Sequence, residues 1–205
     1  INLASALPSI TASVTISGPS AGVTIRRNSV GKYRIFTIPN AGLTVKMYDL
    51  TITNGDTNSD GGGIYSKSDL ELFRVTVDGN RSGHNGGGVA LLVGGDITLS
   101  TISNNSAEWG GGLYFEPAPS DPVVLFNSTV SGNTSSFGTA ILLANYTHAT
   151  NVVLSVNSCT IAYNTGNSSG IVSYAWGASR ETILLLNSTI LANNGMQNLG
   201  QSIGD

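Results

Sequence analysis

Seven side chains in the second half of the chain have the types that a sugar-binding surface needs. Glu116 and Asp121 lie in "EPAPSDP" (116–122), Tyr146 and His148 in "NYTHATN" (145–151), and Trp176, Arg180 and Glu181 in "YAWGASRE" (174–181). Aromatic rings stack on sugar faces, and carboxylates and a guanidinium exchange hydrogen bonds with hydroxyls. Glu116 with Glu181 would also suit an acid/base pair for glycosidic-bond cleavage. A second set, Asp49, Arg74 and Asp78, has the acids and the base of a calcium-assisted lyase site, and reads more simply as a solvated ion-pair set. The two histidines, His84 and His148, are far apart in repeat register, and no His/Cys/carboxylate spacing points to a metal or to any cofactor. The one cysteine, Cys159, cannot form an internal disulfide and reads as a small buried side chain.

Those loops can meet only if something repeats beneath them. The dipeptide Thr-Ile/Val recurs at Thr51, Thr76, Thr101, Thr129, Thr160 and Thr189, in steps of 25 to 31 residues. That period belongs to a solenoid. The residues after the threonines (Ile52, Val77, Ile102, Val130, Ile161, Ile190) and before them (Leu50, Val75, Ser100, Ser128, Cys159, Ser188) share the inward face of a strand. Four residues on stand Gly55, Asn80, Asn105, Asn133, Asn164 and Asn193, a column of bends where stacked amides can bond to one another. Glycine triplets follow in "SDGGGIYS", "GHNGGGVALL" and "EWGGGLYF", and then a second apolar column, Ile64, Val89, Leu113, Ile141 and Ile171. Leu70, Ile97, Val123, Val153 and Ile183 mark a third strand.

Three strands and three bends per turn predict an all-β chain, a right-handed parallel β-helix of six to seven coils of 25–31 residues. Residues 1–48 read as an N-terminal cap or first long coil, with the step of 36 residues from Thr15 to Thr51 implying an insertion. Residues 49–205 read as the repeat coils of the same continuous domain. A short helical piece is expected at 3–10. Because the loops after the second strand lengthen along the chain and coils stack in register, all seven loop residues should gather on one edge.

Composition narrows the rest. Charged residues are only 10% of the chain, against roughly 25% in an average soluble protein. A net charge of −3 without a basic stripe argues against nucleic acid as a partner. No apolar run is long enough for a transmembrane segment, and "INLASALPSI" lacks the form of a signal peptide. Seven sequons offer glycosylation sites, at Asn80, Asn104, Asn127, Asn133, Asn145, Asn167 and Asn187.

The run "VTISGPSAGVTIRRNSVGKYRIFTIPNAGLTVKMYDLTITNG" followed by "GGGIY" resembles the β-helix region of large secreted bacterial surface proteins with right-handed parallel β-helix repeats. "LNSTILANNGMQNLGQSIGD" is similar to the end of such regions in the choice-of-anchor group. "GGGI", "GGGV" and "GGGL" resemble the GGA-I motif of polymorphic outer-membrane passengers, with Thr-Ile-Ser-Asn-Asn in place of the companion F-x-x-N. The resemblance implies an extracellular, cell-surface location and a structural or adhesive role, and carries no catalytic motif. The aliphatic run "ILLLNSTILAN" (183–193) further predicts an open last coil that takes other copies end to end, as in a filament, or the rest of a larger surface protein. The alternative is a polysaccharide-binding or polysaccharide-degrading module that uses the loop edge.

Overall fold

A computed structural model describes residues 1–118, 120–146, 150–176 and 181–204. The described chain is all-β, with parallel sheets stacked as a solenoid of about seven turns. At a strand spacing of about 4.8 Å the rod is roughly 30 Å long.

The coils build four sheets, one more than the apolar columns predict, and five successive coils contribute to all four. The threonine sheet has eight strands, among them Leu50–Thr53, Thr76–Asp78, Thr101–Ser103, Thr129–Ser131 and Thr160–Ala162. A short sheet of five follows the asparagine bend: Asp56–Thr57, Arg81–Ser82, Ser106–Trp109, Thr134–Phe137 and Thr165–Gly166. Its Ser/Thr-rich strands bury no aliphatic column, so no period of two shows in the sequence. The seven-stranded triplet sheet comes after the glycines and includes Ile64–Ser66, Val89–Leu91, Leu113–Phe115, Ile141–Asn145, Ile171–Trp176 and Leu199–Gly204. The closing sheet, also of seven, includes Val14–Ser17, Asp69–Phe73, Gly95–Thr98, Val123–Phe126, Val152–Asn157 and Thr182–Asn187.

The first two apolar columns are level as expected: Val77 pairs with Ile52 and Ile102, and Val89 with Ile64 and Leu113. The third is not. Gly95, not Ile97, is level with Leu70 and Val123, and Ile97 pairs with Leu72 and Leu125. In the last coils Leu154 and Leu184 continue this row, while Val153 and Ile183 lie on the other face. Thr15 belongs to the closing sheet opposite Lys46, and Thr24 pairs with Thr51, so the step into the repeat is 27 residues with no insertion. Residues 3–10 form no helix. Pro8 disfavours helical backbone at Leu7, and the segment runs under the first coil, with the Ile10 amide donating to the Thr37 carbonyl at 2.9 Å and Leu7 and Ile10 packed against the core.

Two polar ladders run through this core. Asn80, Asn105, Asn133 and Asn164 each donate from the side-chain amide to the Oδ1 of the next asparagine, at 2.7–3.0 Å, ending on Asn194. Each Oδ1 also accepts a backbone amide, as from Gly55 to Asn80 and from Asn80 to Asn105. These buried amides are satisfied on both sides, as buried polar groups must be. The left-handed residue at this bend is the one before the ladder asparagine, for example Gly79 (φ 63°) and Asn104 (φ 54°). The second ladder sits just before the threonine sheet. Val75 N donates to Ser100 Oγ, Ser100 N to Ser128 Oγ, Ser128 N to Cys159 Sγ and Cys159 N to Thr189 Oγ1.

Thr189 therefore fills the slot before the threonine column, and Ile190, not Thr189, pairs with Thr160; Asn194 replaces Asn193 in the asparagine column. Within the triplets, Gly86 needs its left-handed backbone (φ 64°), while Gly87 is needed for clearance: a Cβ there would lie 2.2 Å from the Gly111 carbonyl oxygen of the next coil.

Candidate functional site

The loop edge is partly assembled. Tyr174 lies at the centre of an aromatic group, with ring centroids 5.3 Å from Tyr146, 6.1 Å from Phe137, 6.4 Å from Trp109 and 6.4 Å from Trp176. Trp109 and Phe137 come from the short sheet and fold over the outer face of the triplet sheet, where they cover Ala90, Tyr114, Leu142 and Val172. The outer face thus holds a second, smaller core, and Trp176 at its rim is 48% exposed.

Glu116 joins this group, accepting a hydrogen bond from the Tyr114 hydroxyl at 3.1 Å. Burial, with Tyr174 and Glu116 nearby, pushes the Tyr146 phenol up to about 12, and burial raises Tyr114 further. Both phenols therefore stay protonated near neutral pH, and that of Tyr114 donates to Glu116. Trp109, Tyr114, Phe137 and Tyr174 are not among the residues singled out from the sequence. Their signal was available: aromatic side chains at outward strand positions, where a solvated strand carries polar ones.

Asp121 turns away from this group. It accepts the Gly94 amide at 3.2 Å and sits with Asp69 and Asp96, whose carboxyls are raised first by burial and then by their acidic neighbours. Glu181 fastens two loops: its carbonyl accepts from Asn145 Nδ2 at 3.0 Å and its carboxylate from Asn151 Nδ2 at 3.2 Å. Tyr114 thus holds Glu116, and asparagines hold Glu181. His148 and Arg180 lie outside the described residues.

The Asp49, Arg74 and Asp78 set divides. Arg74 makes a two-point contact with Asp49, at 2.6 and 2.7 Å, and its guanidinium lies 4.4 Å over the Phe73 ring. Asp78 instead accepts from Ser103 and Asn104 of the next coil at 2.7 and 2.8 Å. With Ser17, Tyr48 and Glu71 the Asp49–Arg74 pair lines a cleft of ≈ 360 Å³. Glu71 accepts from Lys46 Nζ and from the Tyr48 hydroxyl at 2.6 and 2.7 Å. The hydrogen bond from Arg74 holds the Asp49 carboxyl low, and those from Lys46 and Tyr48 hold Glu71 low. Both are ionised at neutral pH, so neither is poised to donate a proton as a general acid.

Three of the sequon asparagines are closed to a glycan in the folded chain. Asn80 and Asn133 are buried in the ladder, and Asn145 is buried with its amide nitrogen donated to the Thr150 and Glu181 carbonyls. Asn104, Asn127, Asn167 and Asn187 are exposed. His84 Nδ1 lies 2.7 Å from Asp60 Oδ1, and among the described residues no group of three His, Cys, Asp or Glu could hold a metal. Cys159 is buried in a serine-ladder slot, with burial raising its thiol, which removes the thiolate a nucleophile needs.

No family model matches this sequence, and neither a curated protein nor a solved structure matches it. The parallel β-solenoid of about seven turns, with its aromatic outer core, therefore stands on its own geometry.

Proposed function

We propose that this chain is a length of extracellular structural or adhesive rod, as the resemblance to bacterial surface β-helix proteins implies, and that it extends by stacking coil on coil, onto further copies or onto the rest of a larger surface protein. One observation carries the reading. The inner rows that are sealed in the middle of the rod arrive unsealed at the last coil, where Leu186 is 38% and Leu199 43% exposed and Leu184 and Leu191 are only partly buried. A face that carries both inner-row leucines and free strand edges is shaped for another coil. At the other end the same rows of the closing sheet finish in Val14 and Ile16, which would continue Leu184 and Leu186 in register.

Between copies such a contact is heterologous and open, and so produces filaments rather than closed rings. Light scattering and negative-stain microscopy across a concentration series test it. Concentration-dependent rods that disappear in Leu186→Lys/Leu199→Lys support it, and a monomer at high concentration overturns it.

A further inference from the structure

A groove of ≈ 470 Å³ crosses four successive coils on the outside of the short sheet. Two rows of side chains form its walls. Arg81, Ser106 and Thr134 are level on one side, and Glu108, Ser136 and Asn167 on the other. Between them runs the row Ser82, Ala107, Ser135 and Gly166, whose serine hydroxyls are spent inside: Ser82 donates to the Ser59 and Asn85 carbonyls, and Ser135 to the Phe137 carbonyl. The floor is therefore mostly small, and the walls present hydroxyls and an amide at one coil spacing, about 4.8 Å.

Two charged side chains in this groove, Arg81 and Glu108, make no ion pair among the described residues. Arg81 pairs in register with Asp56, yet makes no ion pair with it; its side chain lines the groove instead. The carboxylate of Glu108, one coil on and on the opposite wall, likewise has no hydrogen-bond or ion-pair partner among the described residues. The outward cations Arg74 and Lys46, by contrast, are spent on Asp49 and Glu71. A cation left facing a long polar groove is available to a ligand anion, where a charge-assisted hydrogen bond forms at little desolvation cost.

We propose that this groove binds an extended acidic polysaccharide lying along the rod axis. A sugar carboxylate meets Arg81, and ring hydroxyls bond to Glu108 and to the serine and threonine hydroxyls of the neighbouring coils. The shape selects a linear chain, the walls select hydroxyls, and Arg81 selects the acid. The reading is independent of end-to-end stacking, which is measured by association rather than by ligand.

The experiment titrates the full chain, produced without glycosylation so that Asn167 is bare, with uronic-acid oligosaccharides and their neutral counterparts, using calorimetry and saturation-transfer NMR. Arg81→Gln should weaken uronate binding by about tenfold, the scale of one charge-assisted hydrogen bond. Glu108→Gln should weaken it less. Lys32→Gln, the same charge change outside the groove, and Trp176→Ala, at the loop edge, should leave it unchanged. Thermal unfolding confirms that each variant is folded. Equal losses in Arg81→Gln and Lys32→Gln, a loss confined to Trp176→Ala, or no binding by any uronate at millimolar concentration would each overturn the proposal.

Discussion

The middle coils and the last coil continue the same inward rows, yet hold them differently. Leu125 and Val156 are sealed, and Leu186, next in their row, is 38% exposed; Leu113 and Ile141 are sealed, and Leu199 above them is 43% exposed. Outward Ile190, in the slot that Thr129 and Thr160 fill below it, is 61% exposed. Burial in this molecule is thus not a property of the residue or of its strand. It is conferred by the coil on the other side, as expected for an array in which each unit touches only its neighbours.

The comparison breaks most sharply at a leucine. Leu125→Ala removes a side chain enclosed from above and below and should cost about 3 kcal/mol, the scale of a large-to-small change that leaves a cavity. Leu186→Ala should cost less than about 1 kcal/mol, because that side chain already meets water. Urea unfolding compares the two, with hydrogen exchange of the flanking strands to show whether a loss is local or global. Equal costs would mean that the last coil is packed as tightly as the middle.

The asparagine ladder gives the next largest effect. Asn133→Ala removes the acceptor for the Asn105 amides and the donor to the Ile102 carbonyl in one change. Leaving these buried groups unpaired should cost about 2–4 kcal/mol. Asn194→Ala, with Asn198 and the last coil beside it, should cost about half as much, and a ladder of uniform strength would make the two equal. Cys159 supplies a finer comparison within the second ladder. Cys159→Ser should be close to neutral, since serine already fills this slot at Ser100 and Ser128, while Cys159→Val should cost about 1–2 kcal/mol by leaving the Ser128 amide unpaired. Denaturant midpoints of the pair decide whether the slot is polar or merely small.

The rows of the middle coils were legible because an inward position between two neighbouring coils must be apolar, small, or a self-pairing amide. The errors fall where that constraint relaxes. "NSTV" at 127–130 and "NSTI" at 187–190 look alike but are used one residue apart: Asn127 (φ 48°) is the left-handed residue of its bend, and in the last coil that residue is Ser188 (φ 48°). Phe126, Asn157 and Asn187 are the level ends of the preceding strands, so the asparagine that opens the bend in one coil closes the strand in another, and no short motif reports that register. Gly95 hid the Leu70 row for a related reason, since a glycine in an inward slot carries no hydrophobic signal. The loop edge was legible as a location but not as an arrangement. Tyr146 and Trp176 read as ligand-facing from the sequence, and in the structure they border an aromatic group whose Tyr114 and Tyr174, not singled out, are buried on the outer face of the triplet sheet.

The smallest expected effect concerns two acids on the rod exterior with opposite shifts. The hydrogen bond from Arg74 holds Asp49 below its ordinary value, so its contribution is present above the unfolded carboxylate pKa and is lost as pH falls through the folded one. Burial, then Glu71 and Asp121, hold Asp96 above its ordinary value, so its ionised form opposes the fold once pH rises past the unfolded pKa. Asp49→Asn should therefore lower the melting temperature at neutral pH and Asp96→Asn should raise it. Both differences should be smaller at about pH 3 than at neutral pH, that of Asp96 more completely, because its raised carboxyl is protonated before the lowered carboxyl of Asp49. Melting curves of the three proteins at the two pH values test the signs. A Asp96→Asn variant less stable than wild type at neutral pH would mean that its carboxylate serves the fold, and that the exterior of the closing sheet is paired throughout rather than only beside Lys46 and Arg74.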